Sequence, residues 1–159
     1  MRAWRIATDA PDYEADDLGG AGAETTEGRW HRKGTAVVYT ASNIALACLE
    51  TVVHFGLADL PLNRYLVEIE IPDEVWTAAH VFDASRNVGW DAVPAGRVSL
   101  DAGDRWLKSN ASALLIVPSV IVPEETNCLI NPRHSDAKNI SARKIRRWTY
   151  DARIGRRSG

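Results

Sequence analysis

Apolar and polar residues alternate in several short stretches of the chain, which is the pattern of β-strands. In residues 64–71, Tyr65, Val67 and Ile69 fall on one face and Glu68 and Glu70 on the other, so a half-buried strand is predicted. Apolar or β-branched content predicts further strands at 3–7, 35–40, 113–117, 126–130 and 145–150.

Helical spacing is clearest after the second of these strands. Ser42 is a good N-cap, and apolar residues recur at helical spacing from Ala45 to Val53, up to Gly56. A second, shorter helix is predicted at 101–109, and 75–82 fits either a helix or a strand. Because strands dominate and do not alternate regularly with helices, we expect an α+β fold with mainly antiparallel strands and few helices.

Composition adds the expectation of a single domain over 1–159. The chain has a mass of 17.5 kDa, with 45% hydrophobic and 25% charged residues, which is typical of a globular protein and excludes a disordered or fibrous chain. The uncharged run at 111–123 contains two prolines and is too short to span a bilayer. Without a signal-peptide pattern, we expect a cytoplasmic protein that binds no membrane. The two cysteines and four scattered histidines predict no metal site.

Charge is distributed unevenly along the chain. Residues 1–137 carry 11 basic and 20 acidic side chains, whereas residues 138–159 carry eight basic side chains and only Asp151 as an acid. This basic tail indicates either an interaction with nucleic acid or an acidic protein, or a final strand whose basic face lies against the acidic body of the protein itself. Both interpretations remain open at this point.

Three polar residues lie where a core would favour apolar ones. Glu50 comes four residues after Leu46 and three before Val53, which places it on the apolar face of the predicted helix. A carboxylate on that face needs a hydrogen-bonding partner or an open cleft, unless it lies at the edge of the apolar face and reaches water. Ser119 follows the most apolar strand and is either a functional residue or a turn residue. Arg29 precedes another predicted strand. The glycine-rich segment 19–22 lacks the strand and helix of a dinucleotide-binding fold.

Taken in order, these residues resemble the RES domain family, which is named for an arginine, a glutamate and a serine. We match these to Arg29, Glu50 and Ser119. The resemblance covers about residues 3–154 and is carried by Trp4-Arg5-Ile6, Gly28-Arg29-Trp30, Val38-Tyr39-Thr40-Ala41, 45–50, Val117-Pro118-Ser119-Val120 and 127–132.

The resemblance implies a fold like that of ADP-ribosyltransferase toxins, with strands around an NAD+-binding cleft. It implies a toxin that degrades NAD+ by cleaving the nicotinamide–ribose bond, through hydrolysis or phosphorolysis. This toxin would be neutralised by an Xre-type antitoxin, with nucleic acid contacted only through that partner. NAD+ would be the substrate, phosphate a possible co-substrate, and no cofactor or metal is expected. The alternatives are a protein ADP-ribosyltransferase and a non-enzymatic module that binds nucleic acid through the basic tail.

Each residue type suits a role in that chemistry. A carboxylate stabilises the positive charge that develops on ribose, which is the role expected for Glu50. A guanidinium suits the pyrophosphate of NAD+, which we expect Arg29 and Arg5 to bind. Tyr39 would stack on nicotinamide or its ribose, and Ser119 and Asn127 would hydrogen-bond the substrate or support those bonds. The residues do not choose between water, phosphate and a protein side chain as the acceptor.

Overall fold

Seven strands form one sheet in the computed structural model, which describes residues 1–54 and 61–155. In space their order is β4-β5-β6-β2-β1-β3-β7, and all neighbouring pairs are antiparallel except β4 and β5. The strands are β1 (Arg2–Ala7), β2 (Val38–Ala41), β3 (Tyr65–Glu70), β4 (His80–Val81), β5 (Leu114–Pro118), β6 (Thr126–Ile130) and β7 (Ser141–Arg147).

Four α-helices accompany the sheet in the described residues, so the predicted α+β class is confirmed. They are α1 (Ala21–Glu24), α2 (Ile44–Val52), α3 (Asp73–Thr77) and α4 (Arg97–Ser109). Short 3₁₀ turns occur at Ala84–Arg86, Ser135–Asn139 and Ala152–Gly155. Among the helices that the structure describes, none has the length and apolar character needed to cross a bilayer.

Several predicted boundaries are wrong because pairing between strands, and not local composition, sets them. The last strand runs from Ser141 to Arg147, since it pairs with the whole of β3, and residues 148–150 lie outside it. The strand predicted at 35–40 is shifted to Val38–Ala41, where it pairs with β6. The ambiguous stretch 75–82 divides between α3 and β4. Strand β3 is buried on both faces and is not half-buried, because Leu66 and Glu68 are also covered.

Helix α2 begins one residue later than the sequence predicts. Asn43, and not Ser42, is the N-cap, since its side-chain oxygen accepts a hydrogen bond of 2.8 Å from the backbone N–H of Leu46. The hydroxyl of Ser42 instead donates to the carboxylate of Glu125 at 3.0 Å. The predicted stop at Gly56 lies outside the described residues. Helix α4 starts at Arg97, four residues before the predicted position.

The basic segment near the C-terminus lies against acidic side chains of the same chain. Arg143 contacts the carboxylate of Glu68 at 2.8 Å, and Lys144 contacts that of Glu14 at 2.7 Å. Of the two interpretations of the tail, this arrangement matches the strand packed on the protein's own acidic body. Residues 156–159 are outside the described part of the chain.

The two faces of the sheet are covered differently. Among the described residues, one face carries a single hydrophobic cluster, which we call the continuous core and which includes Ala3, Val38, Val67, Ile69, Leu114, Ile116 and Ile130. The other face carries two separate clusters of described residues. The α2 cluster contains Ile6, Ala41, Leu46, Ala47, Leu66 and Tyr150. The tryptophan cluster contains Trp30, Val37, Phe82, Trp90, Trp106, Leu107, Leu115, Val117 and Leu129.

Candidate active site

A group of polar side chains lies at the boundary between the α2 cluster and the tryptophan cluster. Asn127 on β6 is paired with Ala41 of the α2 cluster on one side and with Val117 of the tryptophan cluster on the other. Directly paired residues share a face of the sheet, so the side chain of Asn127 projects between the two clusters. The interruption of the core at this point provides the position for a functional site.

Glu50 reaches this boundary from helix α2 and is held there by two neutral donors. Its Oε1 accepts hydrogen bonds from the hydroxyl of Ser119 at 2.8 Å and from the side-chain amide of Asn127 at 2.6 Å. No other hydrogen bond and no ion pair to Glu50 occurs within the described residues, so Oε2 is left unpaired there. The structure therefore brings together three of the predicted site residues.

Ser119 is fully buried, and every hydrogen-bonding capacity of its hydroxyl is used. The oxygen accepts hydrogen bonds from the backbone N–H groups of Ile121 at 3.1 Å and Val122 at 3.2 Å, while the O–H group donates a hydrogen bond to Glu50. The turn after β5 thus fixes the hydroxyl, and the hydroxyl fixes the carboxylate. In this arrangement Ser119 is both a turn residue and a support for Glu50, with no proton left for a substrate.

Tyr39 lies beside this group, on the same face of the sheet. It precedes Ala41 by two residues, about 7 Å along β2, and it is 37% exposed. Its hydroxyl lies 2.7 Å from Nδ1 of His31 and 3.3 Å from the backbone nitrogen of Trp30. Burial of the hydroxyl raises the pKa of Tyr39, although the nearby charge of Arg29 partly lowers it. The phenol is therefore neutral at physiological pH.

Within the part of the chain that the structure describes, one of the three nitrogens of Arg29 is anchored. Nη1 donates to the backbone oxygens of Trp90 and Ala92, both at 2.9 Å. These are the hydrogen bonds that Arg29 makes with the described residues, among which no carboxylate forms an ion pair with it. The N–H groups of Nε and Nη2 make no hydrogen bonds with those residues. Arg29 therefore presents, close to Tyr39, a positive charge that those residues do not neutralise.

The RES domain family model matches residues 2–152. The chain belongs to the RES domain family. It is 64% identical over 156 residues to a protein of Sphingobium sp. (strain YBL2) named Prs ADP-ribosylating toxin, with 98% of this chain and 97% of that protein covered. It is also similar to proteins named Toxin Res from Yersinia enterocolitica, at 38% identity over 143 residues, and from Pseudomonas putida, at 36% over 156 residues. These two matches cover 89% and 97% of the chain, and 93% and 99% of the relatives.

One predicted site residue of this RES domain is not brought to the boundary. Arg5 pairs with Val67 and so points to the face of the continuous core, opposite to Asn127 and Tyr39. Its Nη1 lies 3.4 Å from the backbone oxygen of Asp17, and burial lowers its pKa. The prediction that Arg5 binds the substrate together with Arg29 does not fit this arrangement, because the sheet separates it from Glu50.

No pattern in the sequence points to His31 or to the backbone oxygens that hold Arg29. His31 follows the Gly28-Arg29-Trp30 motif directly, but its partner Tyr39 is eight residues further on, so no local pattern joins them. Residues 90–92 lie in a loop that has no chemical signature in the sequence. In the part of the chain that the structure describes, no group of three or more His, Cys, Asp and Glu side chains is placed to bind a metal ion.

Proposed function

We propose that this RES domain is a toxin that uses NAD+ and breaks the bond between nicotinamide and ribose. Support comes from relatives that are named toxins, one of which is named for ADP-ribosylation, a transfer for which NAD+ supplies the ADP-ribose. We expect it to act on the NAD+ of the cytoplasm. In the cell that makes it, such a protein needs an inhibitor, and we propose an Xre-type antitoxin for that role.

The observation that carries the proposal is the carboxylate of Glu50, held at the boundary of two clusters by uncharged donors. Loss of nicotinamide leaves positive charge on the ribose in an oxocarbenium-like transition state. A fixed negative charge at that position stabilises the transition state more than the ground state. Ser119 and Asn127 both bind Oε1, so they hold the carboxylate in place while Oε2 faces the substrate or bonds a ribose hydroxyl.

Arg29 and Tyr39 are suited to bind the rest of the nucleotide. The free nitrogens of Arg29 provide a planar, charged donor for the pyrophosphate. The partly exposed ring of Tyr39 provides a surface on which the nicotinamide or its ribose can stack. Tyr39 lies on the face of the sheet that carries Glu50, and Arg29 contacts the backbone of Trp90 in the tryptophan cluster on that face. This placement is consistent with one extended ligand along the boundary.

The acceptor decides which of three reactions follows the cleavage. Water gives ADP-ribose, phosphate gives its phosphorylated form, and a protein side chain gives an ADP-ribosylated protein. The resemblance to the RES family implies hydrolysis or phosphorolysis. Transfer to a protein is the second candidate, and the name of the 64% identical relative favours it.

Purified protein incubated with NAD+ labelled in the adenylate tests the proposal. We expect nicotinamide release, with the label in free ADP-ribose, in its phosphorylated form when phosphate is added, or on protein when a bacterial lysate is added. The Glu50→Gln variant keeps the shape of the side chain and loses its charge, so its rate should fall at least 100-fold. Glu68→Gln is the matched control. A wild-type protein that releases no nicotinamide, or a Glu50→Gln variant that is fully active, would contradict the proposal.

A further inference from the structure

His31 is buried to 97%, and both of its ring nitrogens lie within hydrogen-bond distance of partners in the protein. Its Nε2 lies 2.9 Å from the backbone oxygen of Ala23 and 3.1 Å from that of Thr26. Carbonyl oxygens only accept, so Nε2 carries the hydrogen. In the neutral ring Nδ1 is then an acceptor, and the group that it faces at 2.7 Å is the hydroxyl of Tyr39.

The hydroxyl of Tyr39 is consequently held from two sides. It donates to Nδ1 of His31 and accepts from the backbone N–H of Trp30 at 3.3 Å. With its proton used inside the protein, Tyr39 can offer a ligand chiefly its ring. Because a hydrogen-bonded hydroxyl restricts where the ring can lie, His31 controls the surface that Tyr39 presents at the boundary.

Gly28 leaves the space that this pair needs. A Cβ at Gly28 would lie 2.6 Å from Nδ1 of His31 and 2.9 Å from the hydroxyl of Tyr39, which is closer than such atoms approach. The two rings meet edge to face, with centroids 5.5 Å apart and an angle of 60° between their planes. The motif that supplies Arg29 to the site therefore also supplies the residues that enclose the end of Tyr39.

We propose that His31 is a positioning residue for NAD+ binding, acting through the hydroxyl of Tyr39. The inference rests on the proposed function, because the ligand of the Tyr39 ring is taken to be the nucleotide. His31 has a second set of contacts, to the oxygens of Ala23 and Thr26, so a purely structural role in that loop is the competing explanation.

Two substitutions separate these contacts. In His31→Asn the side-chain oxygen takes the place of Nδ1 and can still accept from Tyr39, whereas the contacts of Nε2 are lost. In His31→Gln the amide nitrogen takes the place of Nε2 and can still donate to the loop, whereas the acceptor for Tyr39 is lost. We expect the KM for NAD+ to stay within threefold of the wild-type value in His31→Asn and to rise about tenfold in His31→Gln, with kcat changed less than threefold in both.

A double-mutant cycle completes the test. Tyr39→Phe should raise KM about as much as His31→Gln does, and the two changes together should raise it no further, because both remove one interaction. The inference is wrong if His31→Gln is normal and His31→Asn is impaired, or if the two effects multiply.

Denaturant unfolding of the same variants separates failure to fold from failure to bind. A wild-type protein without NAD+ turnover would overturn the proposed function, and the role of His31 in NAD+ binding with it. A double-mutant cycle on the free energy of unfolding would then still show whether the contributions of His31 and Tyr39 to stability are coupled. An active wild-type protein with an additive cycle would overturn only the role of His31.

Discussion

Glu50 and Glu68 are two glutamates on the same side of the molecule that are held by different kinds of partner. Glu68 on β3 is 5% exposed, and its Oε1 binds Arg143 through Nε at 3.0 Å and Nη2 at 2.8 Å. A second guanidinium, that of Arg2, lies 3.9 Å from its other oxygen. Glu50 on α2 is bound by a hydroxyl and an amide, both uncharged.

The difference separates a structural carboxylate from one whose charge remains available. A carboxylate that is taken out of water needs compensation, and an opposite charge provides it most directly. The guanidinium that compensates Glu68 also cancels its field, so Glu68 can do little for a developing cation. Neutral donors stabilise Glu50 enough to keep it in place and leave its net charge intact. Chemistry that forms a positive charge is therefore expected at Glu50 and not at Glu68.

Giving Glu50 the kind of partner that Glu68 has should produce the largest effect. Asn127→Lys removes the amide that now binds Oε1 of Glu50 and brings an ammonium group on a flexible side chain beside the carboxylate. The resulting ion pair would compensate the carboxylate, so nicotinamide release should fall by about 1,000-fold although Glu50 is still present. The release of nicotinamide at saturating NAD+ measures this effect.

Asn127→Met is the matched control, because methionine has a length similar to lysine and no charge. It removes one neutral hydrogen bond and should reduce the rate only about tenfold. Equal losses in the two variants would mean that bulk or the missing amide, and not the added charge, inactivates the protein. The distinction between the two glutamates would then have no catalytic meaning.

Ser119→Ala should affect activity and stability together. It removes a donor from Glu50 and leaves the backbone N–H groups of Ile121 and Val122 without their acceptor inside the protein. We expect a rate about tenfold lower and a free energy of unfolding lower by about 2 kcal/mol. Urea unfolding and nicotinamide release on the same samples measure the two effects. A loss of activity with unchanged stability would show that the turn after β5 does not depend on the hydroxyl.

The sequence located individual members of this site but not their assembly. Glu50 could be predicted because helical spacing places it on the apolar face with Leu46, and Ser119 because it follows a strongly apolar strand. Their contact depends on β6 lying between β5 and β2, a spatial order that alternation of side chains does not reveal. The same limit explains Arg5, since the pattern of β1 shows two faces without showing which one carries the site.

The class of the fold was predictable, and its boundaries depended on long-range partners. Residues 64–71 were recognisable as a strand from alternation, but Glu68 was expected on the exposed side. It is buried because β7 supplies Arg143, which is 75 residues away in the sequence. The hydrogen bond between His31 and Tyr39 was not predicted, because no repeat or regular spacing in the sequence connects these two residues.

Glu68→Gln should change stability and leave the chemistry alone. The amide keeps the shape of the side chain and loses the charge that two guanidinium nitrogens bind, so we expect the free energy of unfolding to fall by about 2 kcal/mol. Nicotinamide release should stay within twofold of the wild-type rate under conditions where the variant is folded. A loss of activity comparable to that of Glu50→Gln would place Glu68 in the catalytic machinery and would remove the contrast between the two.

Asp104 on α4 represents a third case, an ion pair near the surface, and its removal should have the smallest effect. A hydrogen bond from Lys108 at 2.8 Å, followed by the charges of Lys108 and Arg32, lowers the pKa of Asp104. A carboxyl group whose pKa is lower in the folded than in the unfolded state stabilises the fold above its unfolded pKa, and this contribution is lost as the pH falls through the folded pKa.

Asp104→Asn should therefore destabilise the protein by less than about 1 kcal/mol at pH 7, and the difference from wild type should shrink in acid and in high salt. Urea unfolding of both proteins between pH 7 and pH 3 checks the sign, since a difference that grows on acidification would mean that Asp104 is held as the neutral acid.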